Sequence, residues 1–168
     1  MEKPLTHSKN YPAVTEVEPL IQGGLLSIFG FGVLITGASG IGKSELALAL
    51  IDRGHQLVSD DVTLIQKEDK RLVGRAPDEL YGLIQLHGCG IFNVKDLLGN
   101  KSCAASSPLE LIIQLNPAIQ YEKNPLEIER KQITLMDIAL PQVTIPLPNG
   151  RNLTLIIELL VRKEIAQK

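Results

Sequence analysis

Eight consecutive residues constrain this chain more than any others. Gly37-Ala38-Ser39-Gly40-Ile41-Gly42-Lys43-Ser44 fits the pattern G-x-x-x-x-G-K-[ST] without a mismatch. Such a loop must leave a buried strand and open a helix, and the flanking residues supply both. Residues 33–36 (VLIT) read as a buried strand. Residues 44–52 (SELALALID) read as a helix of good formers with apolar spacing, and Gly54 as its stop. The glycines let successive backbone N–H groups converge on one point, a nest for anionic oxygens. The helix start adds its partial positive charge. Lys43 is placed to reach β- and γ-phosphates, and the Ser44 hydroxyl to take one position on Mg²⁺, which prefers oxygen ligands and keeps several waters. The motif therefore predicts a nucleoside triphosphate, ATP with a divalent metal, held by residues 37–44.

The rest of the chain is read around that loop as α/β. Residues 24–29 form a strand, 30–32 a turn, and 33–36 the second arm of a hairpin. Residues 56–59 form a strand that ends at Asp60-Asp61. A right-handed crossover through the helix brings this strand back parallel to 33–36, with its carboxyl end at the phosphate edge. Asp60 and Asp61 are then both candidates. An Asp there can hold the metal beside Ser44, or accept the proton of an attacking hydroxyl. Neighbours on a strand point to opposite faces, so both can serve only if the strand ends there.

Further strands are expected at 62–67, 71–73 and 109–115, with 83–86 and 91–94 around a Gly-rich corner. Residues 103–108 and 116–131 read as loops, the second a mobile surface loop. Residues 143–146 and 153–160 close the chain, the latter as an apolar strand after a turn.

With 168 residues, 44% of them hydrophobic, the chain is expected to form one domain, with residues 1–11 a flexible tail. A net charge of -2 and 4% aromatics argue against nucleic-acid binding. No apolar run reaches the ~20 residues of a membrane span, the N-terminus has no signal-like apolar stretch, and Cys89 and Cys103 show no metal spacing. These features lead to the expectation of a cytoplasmic protein with reduced thiols. His7, His55, Glu45, Arg75 and Arg151 have simple structural readings, though Arg75 and Arg151 could also meet an anion. His87, in the Gly-rich corner, is the histidine worth following.

At this point the residues resemble a known family. GASGIGKSELALALIDRGHQLVSDD is similar to the nucleotide-site segment of HPr kinase/phosphorylase. The resemblance continues in Val73-Gly74-Arg75-Ala76-Pro77 and in Gly88-Cys89-Gly90-Ile91-Phe92-Asn93-Val94 with Leu98-Gly99. It ends in Val143-Thr144-Ile145-Pro146, Gly150-Arg151-Asn152-Leu153 and Ile156-Ile157-Glu158, and spans about residues 20 to 160. It implies a phosphate-loop, phosphoenolpyruvate carboxykinase-like mixed sheet with flanking helices. It implies ATP-dependent phosphorylation of a serine of the phosphocarrier HPr in control of carbohydrate metabolism, and a phosphorylase reaction releasing pyrophosphate. It implies homo-oligomers, hexamers in the family. Lys43 would bind phosphate and Ser44 metal; Asp60 would be the base for the serine hydroxyl, and the acid in reverse.

The chain departs from the family pattern in five places. An N-terminal domain of the usual family chain has no counterpart in the sequence. Gln22 stands where a His is usual. Gln85 and His87 stand where a metal-binding Glu and an Arg are usual, and Asn124 where the family has an Arg in its mobile loop. These departures keep two other readings open: a nucleotide sensor without turnover, and a small-molecule kinase.

Overall fold

Residues 18–117, 128–147 and 152–168 are described in the computed structural model of the chain. The chain order begins β1 (Leu20–Gln22), β2 (Gly24–Ile28), β3 (Phe31–Thr36), α1 (Lys43–Asp52) and β4 (Gln56–Ser59). It continues with β5 (Val62–Glu68), β6 (Arg71–Arg75), β7 (Leu83–Leu86), β8 (Gly90–Asn93) and α2 (Val94–Leu98). It closes with β9 (Ser107–Leu109), β10 (Leu111–Asn116), β11 (Glu129–Leu135), β12 (Ile138–Pro146) and α3 (Leu153–Ala166). Short 3₁₀ turns lie at Asp78–Leu80 and Asn100–Ser102.

Six strands form a mixed sheet in the order β11-β12-β10-β3-β2-β4, and four form an antiparallel sheet in the order β1-β5-β6-β9. Strands β3, β10 and β12 run parallel, while β2 is antiparallel to both β3 and β4. So β4 runs in the direction of β3, as the crossover predicts, but with β2 between them. Thr36, Ser59, Asn116 and Pro146 therefore end on one edge of the sheet. In open α/β sheets that carboxyl edge is where ligands bind.

The central strands are apolar on both faces because both faces are covered. On one face Leu26, Val33, Ile35 and Ile113 pack against Leu46, Leu50 and Ile51 of α1 and Ile157 and Val161 of α3. On the other, Leu25, Leu34, Val58 and Ile112 pack against Ile65, Leu72 and Leu109 of the four-stranded sheet. Neighbouring residues such as Leu25 and Leu26 thus enter different cores, as the two-residue period of a strand requires.

Several expected boundaries shift. The hairpin turn is Phe29-Gly30, both at positive φ (53° and 77°), which matches a two-residue turn to the strand twist. Phe31 and Gly32 belong to β3. Gly32 is there because a Cβ would lie 1.5 Å from the Pro108 carbonyl oxygen. The expected loop at 103–108 contains the start of β9, where Pro108 sits on an edge strand that tolerates a missing N–H. Of the expected loop at 116–131, residues 129–131 are strand; 118–127, including Asn124, lie outside the described residues. The tail 1–11 with His7, and Arg151, also lie outside them.

The expected closing strand is instead the helix α3. The Asn152 side chain caps it, accepting the Leu155 N–H at 3.2 Å. Its apolar residues at 153, 156, 157, 160 and 161 follow a helical period, and Ile157 and Val161 are buried.

Candidate active site

The phosphate loop leaves the end of β3 and enters α1, whose N-cap is Gly42 with φ 102°. Among L-residues that conformation is strained, so a glycine is placed there. Inside the loop the Ile41 N–H bonds to the Ala38 carbonyl at 3.2 Å. The Lys43 ammonium donates to the carbonyls of Gly37 and Ala38, both at 2.9 Å.

Asp60 and Asp61 form the turn between β4 and β5. The strand does end there, so the two carboxylates escape the alternation of a continuous strand. The Asp61 carbonyl accepts the Gly23 N–H at 2.7 Å, and the Asp60 carbonyl accepts the Val62 N–H at 2.7 Å. Asp61 has φ 63° and is exposed, whereas Asp60 is only 8% exposed. The Ser44 hydroxyl donates to the Asp60 carboxylate, with oxygens at 3.0 and 3.1 Å. The Gln85 backbone N–H donates to the same carboxylate at 3.1 Å.

Burial pushes the Asp60 carboxyl above its usual range, opposed by the Gln85 N–H and the Ser44 hydroxyl, while the charge of Asp61 pushes it further up. A carboxylate held this way has raised proton affinity, as a base requires.

One cleft gathers these groups. Ser39, Gly40, Gly42, Lys43, Ser44 and Glu45 form one side, and Asp60, Asp61, Gln85 and His87 the other. The β7–β8 hairpin carries the last two, and His87 lies at its exposed tip. Glu45, read from sequence as a helix-dipole residue, also lines the cleft. The part of the site that the sequence did not expose is the Gln85 amide. A backbone donor carries no residue signature, and only the hairpin's fold brings it to Asp60.

Other candidates fall elsewhere. Gln22 lies on β1 beside Val62 and does not line the cleft. Arg75 pairs with Glu18 at 2.7 Å and Asp78 at 3.4 Å. His55 is buried against Glu158 at 2.8 Å, which also takes Arg53 at 2.6 Å, tying the end of α1 to α3.

Among the described residues no group of three or more His, Cys, Asp or Glu could hold a metal. A hard cation that keeps most of its water needs fewer protein ligands. Ser44 suits it, because a hydroxyl whose proton points at Asp60 presents its lone pairs outward. No described helix is long and apolar enough to cross a membrane.

A strand, a glycine-rich loop, a helix start and an acidic turn bonded to the loop's serine define a phosphate-loop α/β protein. Residues 15–168 match the family model of the HPr serine kinase C-terminal domain, and the chain belongs to that family. It is 42% identical over 142 residues to HPr kinase/phosphorylase of Geobacillus thermodenitrificans, covering 82% of this chain and 45% of that one. It is 43% identical over 152 residues to HPr kinase/phosphorylase of Lactobacillus johnsonii, covering 88% of this chain and 47% of that one. The chain thus spans about half the length of these relatives. Among solved structures, the Hpr(Ser) kinase/phosphatase from Coxiella burnetii is similar with a TM-score of 0.84 and 38% identity, over 89% of this chain and 92% of that one. The fold is the phosphate-loop, phosphoenolpyruvate carboxykinase-like mixed sheet that the resemblance implies.

Proposed function

We propose that the chain is the catalytic domain of a cytoplasmic, oligomeric, ATP-dependent serine kinase acting on an HPr-like phosphocarrier. The observation that carries this reading is the bonding of Asp60 to Ser44 at the mouth of the phosphate loop, in a chain of the HPr serine kinase family. The loop amides and Lys43 hold the β- and γ-phosphates; Lys43 exchanges its two loop carbonyls for more strongly charged phosphate oxygens. Ser44 and Asp61 would hold Mg²⁺, which would supply neutralisation of phosphate charge. Asp60 takes the proton of the acceptor serine hydroxyl as that oxygen attacks the γ-phosphorus and the bond to the ADP oxygen breaks. In the phosphorylase direction inorganic phosphate attacks the phosphoserine phosphorus, the bond to the serine oxygen breaks as pyrophosphate forms, and protonated Asp60 gives its proton to the departing serine oxygen.

Mass spectrometry of HPr after incubation with the protein, ATP and Mg²⁺ tests the reading. The expectation is one phosphate on a serine, absent with Lys43→Ala. A second reading, a nucleotide sensor, is favoured by Gln85, an uncharged amide on the cleft wall. ATP binding without modification of HPr would support it.

A further inference from the structure

We propose that Ser59 and Thr63 are positioning residues whose buried hydroxyls lock the Asp60-Asp61 turn so that Asp60 faces Ser44. The proposal rests on the role given to Asp60 above.

Asp61 sits at φ 63°, in the left-handed region that few residues with a Cβ adopt and that Asp tolerates better than most. Gly23 is the anchor on the other side. It donates its N–H to the Asp61 carbonyl at 2.7 Å. It cannot be another residue without movement, since its φ is +153° and a Cβ would lie 2.9 Å from the Ile35 carbonyl oxygen.

The two hydroxyls close the clamp. Thr63 donates from Oγ1 to the Gly23 carbonyl at 2.9 Å and lies 3.1 Å from Ser59 Oγ. Ser59 Oγ donates to the Val62 carbonyl. Ser59 and Thr63 thus bracket the two aspartates in sequence and meet beneath them in space. Ser59 is 1% exposed and Thr63 0%, and neither lines the cleft. Burial alone would be served as well by a valine at 63, which keeps the methyl beside Gly74 and replaces only the hydroxyl. The hydroxyls fix direction: without them the turn loses the link from β5 to Gly23, and Asp60 loses its fixed approach to Ser44 and to the Gln85 N–H.

The Gln85 amide is the reporter, because its proton is bonded to Asp60 and it lies 25 residues from that aspartate in sequence. Amide exchange and ATP-dependent transfer to HPr are measured in Thr63→Val, Thr63→Ser and Ser59→Ala. In Thr63→Val the Gln85 amide is expected to exchange at least about tenfold faster, with the amides of β3 and β10 unchanged. Transfer should lose at least about tenfold in kcat with the KM for ATP unchanged. Thr63→Ser, which restores the hydroxyl, should recover both. If Thr63→Val does not fold, Ser59→Ala carries the same expectations. Retained protection at Gln85, protection lost equally in β3 and β10, or an unchanged kcat would each overturn the proposal. A wild-type protein that transfers nothing to HPr would defeat the kinase reading, while Gln85 exchange would still decide whether the lock exists.

Discussion

Ser44 and Asp60 are 16 residues apart in sequence and 3.0 Å apart in space, the hydroxyl of the first donating to the carboxylate of the second. One is the last residue of the phosphate loop motif, the other the first beyond β4. Helix α1 and the return of β4 to the same sheet edge are what bring them together.

The placement of Asp60 has a cost in stability that is readable from pH. Its folded-state pKa is raised above 3.8, mainly by burial, so the fold binds this proton more tightly than the unfolded chain does. The carboxylate therefore weakens the fold fully above the raised value, and the penalty fades as pH falls toward 3.8. Asp60→Asn keeps an oxygen for the Gln85 N–H and carries no charge. It should melt higher than wild type at neutral pH, with the gap closing in acid. Melting temperature against pH for both proteins checks this.

The Glu158 carboxyl is held down to about 2, first by the Arg53 guanidinium and also by His55, against the effect of burial. Its contribution to stability is present above about 4.5 and lost as pH falls toward about 2. Glu158→Ala leaves the buried His55 Nε2 without this hydrogen-bond partner and should destabilise the fold by about 1–3 kcal/mol at neutral pH. Denaturant titrations at neutral and acid pH should show that difference shrinking in acid.

Gly32 leaves no room for a side chain beside the Pro108 carbonyl. Gly32→Ala should push β9 away and also strain the bond from the Glu110 N–H to the Gly32 carbonyl, 2.9 Å long. The expected loss is about 4 kcal/mol or more, measured by denaturant unfolding.

Lys43 bonds to two loop carbonyls and lines the cleft. Lys43→Ala should leave the melting temperature near wild type. It should weaken ATP binding about 10- to 100-fold, the worth of about 1.5–3 kcal/mol for a charge-assisted bond. Calorimetric titration with ATP and Mg²⁺ measures it.

What the sequence made legible were features with local causes. The loop spacing, the helix after it and the end of β4 at the acidic pair all follow from short-range pattern. The 153–160 segment is a helix where a strand is expected, because a short apolar run suits either period and the Asn152 side chain caps a helix start. The turn at Phe29-Gly30 was displaced because Gly32 looked like turn chemistry. Its real cause is a chain 76 residues away, at Pro108, which no local pattern contains. The Gln85 amide and the Ser59–Thr63 clamp were invisible for the same reason. Their meaning depends on which strands become neighbours.

The most direct test of the account is the rate of phosphate transfer from ATP to HPr by wild type and Asp60→Asn, at saturating ATP and Mg²⁺, with nucleotide binding measured on both. Equal ATP affinity is expected, with a transfer rate about 10²- to 10⁴-fold lower in the variant, the usual worth of a positioned base. An unchanged rate with ATP bound would contradict it and remove Asp60 from the chemistry.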